Sequence, residues 1–123
     1  PRAKVQAYIT TNQAYFDSKK GIYNDPKTGK EYPDNDERFI FFCKTVIETC
    51  LVLNWYPDII HCNDWQTALV AAYAKTVFLN KFKKTKIVFT IHNFNGIRHC
   101  NIDCSILTKF LGFFQQPFFI EFI

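Results

Sequence analysis

The sequence predicts an α/β fold with a parallel sheet that is covered by helices on both faces. Strand-like and helix-like segments follow one another in the order strand, helix, strand, helix, strand. Two of the strand segments, residues 58–62 and 86–91, are nearly continuous apolar runs, which are typical of strands buried on both faces. The chain of 123 residues suffices for one modest domain, and its 48% hydrophobic residues indicate a packed core.

The first third of the chain predicts one strand, one long loop and one helix. Residues 4–10 alternate polar and apolar side chains, which predicts a half-buried strand. Residues 17–35 contain Gly, Pro, Asp and Asn, which are typical of a loop. Asp34 and Glu37 have the spacing of a capping box, so a helix should begin there and end near Asn54. Its apolar face comprises Phe39, Phe42, Cys43, Val46, Ile47, Cys50 and Leu51.

The remainder of the chain predicts two further strands with a helix between them. The strand at 58–62 leads through a turn at 63–65 into a helix over 66–80. The strand at 86–91 follows a short lysine-rich loop, and a short helix is expected over 106–110.

The charge and the cysteines narrow the classes of function. The net charge of +4 is mild, and the cluster of Lys81, Lys83, Lys84 and Lys86 indicates a solvated loop rather than a nucleic-acid surface. An odd count of five cysteines, three of them within apolar runs, favours a reduced cytoplasmic protein with buried thiols. No cysteine–histidine spacing matches a trusted zinc pattern, so no metal and no cofactor are expected.

Both ends of the sequence predict that the chain is an internal part of a longer protein. The chain contains no Met, and it ends in an aromatic stretch over 110–123 that would leave apolar surface exposed. No signal peptide is visible, and no apolar run reaches the roughly 20 residues of a membrane span.

Polar side chains follow two neighbouring strands at the point where each strand ends. The sequence Asn63-Asp64-Trp65-Gln66 follows the strand at 58–62, and His92-Asn93 follows the strand at 86–91. Parallel strands place their carboxyl ends at one edge of a sheet, which is where such sheets bind ligands. We therefore predict that Asp64 and His92 share one cleft, where they can hold sugar hydroxyls or handle protons.

Each of these residues also has a structural interpretation. Asn63 or Asp64 could cap the following helix, and Trp65 could pack beneath the sheet as readily as form a wall for a sugar ring. His61 lies within the apolar run, which favours a hydrogen-bonded histidine of the core. The sequence contains no nucleophile elbow, no evident carboxylate pair for glycoside cleavage and no glycine-rich phosphate loop.

Three motifs in this order resemble bacterial glycogen synthases and plant starch synthases. They are YPDNDERF at 32–39, PDIIHCNDWQTALV at 57–70 and VFTIHN at 88–93. The resemblance extends over about residues 4–94, and residues 95–123 are a divergent tail. It implies that the chain is part of the N-terminal domain of a retaining glycosyltransferase with two Rossmann-like domains.

The resemblance also implies a reaction and a set of site residues. Enzymes of this family transfer glucose from a nucleotide sugar, usually ADP-glucose, to the non-reducing end of an α-1,4-glucan without a metal. The catalytic residues would be His92, against the donor glucose, and Asp64, hydrogen-bonded to sugar hydroxyls. The substrate-binding residues would be Tyr23, Asn63, Trp65, Gln66 and Asn93.

The resemblance has limits that lead to a further prediction. The glycine-rich lysine loop and the second domain of the family, which hold the diphosphate, are absent from the sequence. The chain alone is therefore expected to be inactive. Two other hypotheses are a non-catalytic carbohydrate-binding or interaction module and a different nucleotide-sugar transferase of the same architecture.

Overall fold

The computed structural model describes residues 4–92 and, for the strand at 119–122, the backbone. Within these residues, three parallel strands form one sheet in the order β1 (Ile59–Asn63), β2 (Lys86–Ile91) and β3 (Phe119–Phe122). The α-helices of the described part of the chain are α1 (Asn35–Val52), α2 (Ala68–Lys75) and the short α3 (Leu79–Phe82). The predicted α/β, Rossmann-like class is confirmed, and β1 and β2 lie within one residue of their predicted bounds.

Two compact units divide the chain, one up to Arg38 and one from Phe39 onward. In the first unit, a single wide helical turn at Gln13–Asp17 begins after Asn12, whose side chain accepts a hydrogen bond from the Tyr15 amide at 3.0 Å. The predicted loop that follows is largely irregular, with one antiparallel bridge between Asn24 and Glu31.

The buried guanidinium of Arg38 organises the loop of the first unit. It donates to the carbonyls of Tyr15 at 2.7 Å and Ile22 at 2.8 Å, and to the Asn35 side chain at 2.7 Å. Its charged group also lies over the rings of Phe16 and Tyr32. A buried arginine therefore replaces the regular backbone pairing that this loop lacks.

The predicted strand over residues 4–10 is wrong. This segment has no regular structure, and the side chains of Val5 and Ile9 are 88% and 85% exposed. A strand requires a neighbour for its backbone hydrogen bonds, and no described strand pairs with this segment. The alternation of polar and apolar side chains in residues 4–10 was therefore not sufficient to predict a strand.

The second unit contains a continuous core between the helices and one face of the sheet. Cys43, Ile47 and Cys50 of α1, which repeat at helical spacing, are buried as predicted. The complete cluster also includes Cys62, Val70, Ala71, Ala74, Phe82 and Ile87. Phe82 is fully buried with its ring at 77° to that of Tyr56, and such burial stabilises the fold by roughly 1.5–3 kcal/mol.

The strands present alternate side chains to the two faces of the sheet. Ile60 and Cys62 of β1 contact the core, whereas Ile59 and His61 point to the other face and are exposed. His61 Nε2 lies 2.7 Å from the hydroxyl of Thr90, so this histidine has a hydrogen-bond partner. The prediction of a satisfied His61 is confirmed, but its assignment to the core is wrong because its side chain is exposed on the face opposite the core.

The predicted helix over 66–80 is interrupted. One turn at Trp65–Thr67 precedes α2, and α2 ends where the amide of Phe78 donates to the carbonyl of Tyr73 at 2.9 Å. The ammonium of Lys75 then donates to the carbonyls of Phe82 and Thr85, which ties α2 to the loop before β2.

Several other predictions concern the surface and the remaining residues. The four lysines of the predicted cluster are exposed as expected, although Lys81 lies in α3 and Lys86 begins β2, so that only Lys83 and Lys84 lie in a loop. Within the described residues, no helix is both long enough and apolar enough to span a membrane. The predicted helix at 106–110 lies outside the described residues, as do Cys100 and Cys104.

Candidate functional site

The ends of β1 and β2 meet at one edge of the sheet. The strands run parallel with Asn63 opposite Thr90, so the residues that follow each strand emerge side by side. The amide of Asp64 donates to the carbonyl of Thr90 at 2.8 Å, which continues the pairing beyond the end of β1. The sequence correctly predicted this shared edge.

Asp64 and His92 are in direct contact at this edge. The backbone amide of His92 donates to Oδ1 of Asp64 at 2.7 Å. A carboxylate that accepts an amide hydrogen bond at this distance makes one of the stronger hydrogen bonds of proteins. The predicted proximity of the two residues is therefore confirmed, although the contact joins a side chain to a backbone rather than two side chains.

Asp64 adopts a backbone conformation that is rare for a residue with a side chain. Its φ of 59° and ψ of 173° lie in a region that is essentially reserved for glycine. The hydrogen bonds of its amide to Thr90 and of its carboxylate to His92 hold it there. Strain of this kind concentrates at functional sites, which supports Asp64 as a functional residue.

The prediction that Asn63 or Asp64 caps the following helix is wrong. Neither the turn at Trp65–Thr67 nor α2 has a side-chain cap. The carboxylate of Asp64 is directed to His92, and the hydroxyl of Thr67 donates to the carbonyls of Asn63 and Asp64, both at 2.9 Å. The capping box predicted at Asp34 and Glu37 is also wrong, because the amide of Glu37 donates to Oδ1 of Asp36 at 2.9 Å rather than to Asp34. The carboxylates of Asp34 and Glu37 instead accept from Lys19 and Tyr15.

Asn63 contacts the ring of His92. Its Oδ1 lies 2.9 Å from Nε2 of His92, and its Nδ2 donates to the carbonyl of His61 over a longer 3.4 Å. His92 and Asn63 are both exposed, so a ligand can reach them. The arrangement is a small rim of a carboxylate, an amide and an imidazole that can hydrogen-bond several hydroxyl groups at once.

The remaining predicted site residues have different environments. Trp65 is half-buried, and its ring meets that of Phe39 edge-on with centroids 5.0 Å apart, so packing accounts for part of its surface. The backbone carbonyl of Gln66 accepts from the thiol of Cys43 at 3.0 Å. Asn93 lies outside the described residues.

Tyr23 belongs to the first unit and is 39% exposed. Its carbonyl accepts from the Tyr32 amide and from the Asn35 side chain, both at 2.9 Å. Asn35 is held in turn by Arg38. The sequence analysis did not predict that Asn35 and Arg38 support Tyr23. The signal that could have shown it is Arg38 itself, an arginine at a position of α1 that the helical spacing predicts to be buried.

Burial keeps the thiols of Cys43 and Cys62 in their protonated, less reactive form. Desolvation raises the pKa of Cys43 to about 12 and that of Cys62 to about 11, so both remain protonated near neutral pH. The prediction of buried, reduced thiols is confirmed for Cys43, Cys50 and Cys62, which are all free. No group of His, Cys, Asp and Glu in the described residues has the arrangement of a metal site.

Comparison with known proteins places these observations in a family. The family described as starch synthase catalytic domain matches residues 1–118. The chain belongs to this family.

Relatives with curated names agree with this membership. The chain is 45% identical over 95 residues to a glycogen synthase of Chlorobaculum tepidum, a match that covers 76% of the chain and 19% of that protein. It is 44% identical over 91 residues to a glycogen synthase of Elusimicrobium minutum, with 72% and 18% covered. The chain thus spans about a fifth of the length of the curated relatives it matches.

A solved structure is also similar. It is the catalytic domain of starch synthase IV from Arabidopsis thaliana bound to ADP and acarbose. The sequence identity is 40%, the match covers 54% of the chain and 14% of that structure, and the TM-score is 0.46.

Proposed function

We propose that the chain forms part of the N-terminal catalytic domain of a glycogen or starch synthase, which is a retaining glycosyltransferase. The protein would transfer glucose from ADP-glucose to the non-reducing end of an α-1,4-glucan in the cytoplasm. The observation that carries the proposal is the joined rim of Asp64 and His92 in a chain of this family.

The chemistry of the rim suits this reaction. Retaining transfer depends on orienting a hydroxyl-rich sugar and on stabilising charge as the diphosphate departs, more than on a strong base. We propose that His92 contacts the donor glucose and that Asp64 accepts hydrogen bonds from sugar hydroxyls. Tyr23, Trp65, Gln66 and Asn93 would contribute further sugar contacts.

A chimeric enzyme provides the test. The 95 matched residues of the Chlorobaculum tepidum glycogen synthase are replaced by those of this chain, and glucose transfer from ADP-glucose to glycogen is measured. We expect the chimera to be active and its His92→Ala variant to lose at least about tenfold in kcat, with a melting temperature close to that of the chimera.

Two controls complete the test. The 123-residue chain alone is expected to transfer no glucose, because the match represents only 19% of the relative. A folded chimera that binds glycogen but transfers nothing would contradict the proposal and favour a carbohydrate-binding module. Competition between ADP-glucose and UDP-glucose in the active chimera would identify the donor.

A further inference from the structure

We propose that Asn63 is a positioning residue that fixes which ring nitrogen of His92 carries the proton. The contact that carries the proposal is the 2.9 Å approach of Asn63 Oδ1 to His92 Nε2. This differs from the role of direct substrate binding that the sequence predicted for Asn63. The identification of the ligand below as a sugar rests on the proposed function.

The orientation of the Asn63 amide follows from its second contact. Nδ2 faces the carbonyl of His61 at 3.4 Å, and a backbone carbonyl can only accept a hydrogen bond. The reversed amide would place Oδ1 against that carbonyl oxygen, and two acceptors repel each other. The oxygen of the amide is therefore the atom that faces His92.

The position of the proton on His92 follows from this orientation. An amide oxygen accepts a hydrogen bond, so Nε2 of His92 must donate and carries the proton. In a neutral imidazole the other nitrogen, Nδ1, is then an acceptor. No described residue forms a hydrogen bond with Nδ1, and the side chain is exposed, so the ring presents a fixed acceptor to solvent.

The chain on either side of Asn63 makes this support rigid. Its carbonyl accepts from Thr67, and the next residue, Asp64, binds both the carbonyl of Thr90 and the amide of His92. The backbone and the ring of His92 are thus held by two adjacent residues of one turn. The ligand that fits Nδ1 is a hydroxyl group that donates a hydrogen bond, and in the proposed function it belongs to the transferred glucose.

The tautomer can be measured in the 123-residue chain by NMR. Nitrogen-15 shifts of labelled histidines are recorded at about pH 9, where an ordinary imidazole is neutral. His61→Gln and His99→Gln variants assign the His92 signals. We expect Nε2 of His92 to have the nitrogen-15 chemical shift of a protonated nitrogen and Nδ1 to have that of an unprotonated nitrogen.

Substitutions of Asn63 test whether this residue determines the tautomer of His92. Asn63→Ala should move the two His92 shifts toward each other, whereas Asn63→Asp keeps an acceptor oxygen and should preserve their separation. Asn80→Ala is the matched control, because Asn80 lies on α3, which leads into the opposite end of β2, and should change nothing. If the NMR spectrum of Asn63→Ala shows that this variant is unfolded, Asn63→Gln is used in its place, because it moves the side-chain amide by one methylene group.

The results separate this proposal from the proposed function. His92 shifts that are identical in the wild type and in the folded Asn63 variant, or a wild type protonated at Nδ1, would overturn the positioning role whether or not the family reaction occurs. In the chimera, Asn63→Ala should lower kcat/KM roughly two- to tenfold, the range expected of one hydrogen bond, and Asn63→Asp should restore part of it. An inactive chimera would overturn the proposed function and leave the NMR result intact.

Discussion

At the scale of single residues, Asp64 is held in a strained conformation by its own hydrogen bonds. A residue other than glycine in this region costs about 1–3 kcal/mol, and the hydrogen bond from the His92 amide to the carboxylate offsets a similar amount. The side chain that creates the strain therefore also compensates for it. This balance makes an unusual order of stabilities among substitutions.

At position 64 the glycine variant should be more stable than the alanine variant, which is the reverse of the order at ordinary sites. Glycine loses the hydrogen bond but relieves the strain, so its free energy of unfolding should lie within about 1 kcal/mol of the wild type. Alanine loses the hydrogen bond and keeps the strain, so it should be less stable by about 2 kcal/mol. Urea denaturation followed by circular dichroism measures both.

The matched control for this prediction is Asp58, which lies just before β1 and does not have a positive φ. At this position glycine should be the less stable variant, as is usual. If Asp64→Ala were as stable as Asp64→Gly, the backbone strain at position 64 would be too small to affect the free energy of unfolding.

The sequence indicated which residues share the edge of the sheet but not how they bind one another. Asp64 and His92 could be placed together because each follows a strand and parallel strands end at one edge. The contact of Asn63 with the His92 ring could not be predicted, since it depends on a backbone turn with a positive φ at the next residue. Side-chain chemistry alone favoured helix capping there.

At the scale of elements, α1 shows how a helix end is encoded. Asn54 has a φ of 48°, and the amides of Asn54 and Trp55 donate to the carbonyls of Leu51 and Cys50 at 3.0 and 2.9 Å. This is the Schellman arrangement, with asparagine in the left-handed position that glycine usually takes. The helix therefore ends where the sequence predicted.

Asn54→Ala should destabilise the chain by about 1 kcal/mol, because alanine has no local hydrogen bond to favour the left-handed conformation. Asn54→Gly should be at least as stable as the wild type. Thermal unfolding of the three proteins measures the difference. Asn80→Ala is the control, since alanine is the better helix former at that exposed position of α3 and should not destabilise it.

Elements with their own local signals were predicted best. β1, β2 and α1 have apolar runs or helical spacing that specify them, and their bounds differ little from the prediction. The segment 4–10 has alternation but no partner strand, so its pattern was insufficient. The break after α2 at Thr76 depends on hydrogen bonds to preceding carbonyls, which composition does not reveal.

At the scale of the whole molecule, the core of the second unit contains thiols that hold their protons tightly. The pKa of Cys43 rises from 9.0 to about 12 and that of Cys62 from 9.0 to about 11, both because of burial. The unfolded chain releases these protons near its ordinary value, whereas the native chain retains them. The contribution to stability is therefore complete below about pH 9 and declines as the pH rises toward these raised values.

We expect the free energy of unfolding to fall above pH 9 by about 1.4 kcal/mol per pH unit for each of the two thiols. Urea denaturation between pH 7 and pH 10.5 measures this slope. The Cys43→Ala/Cys62→Ala double variant controls for tyrosines and lysines that titrate in the same range, and its slope should be shallower. Equal slopes in the two proteins would show that the thiols ionise alike in both states.

Long-range pairing was the least predictable feature at this scale. β3 pairs with β2 although 27 residues separate the end of one from the start of the other. The stretch that contains β3 is rich in Phe and Ile, which favour strands, but it was not predicted as a strand. Such contacts depend on which segments the chain brings together, and local patterns carry little information about that.

The carboxylate at position 64 also complicates the usual way of assigning a catalytic role. It substitutes for a backbone carbonyl by receiving the first amide beyond β2, so its removal releases the chain that carries the imidazole. A loss of turnover in an Asp64 variant would by itself not distinguish a missing sugar contact from a displaced histidine. The His92 geometry must be measured in the same variant before that loss is attributed to the acid.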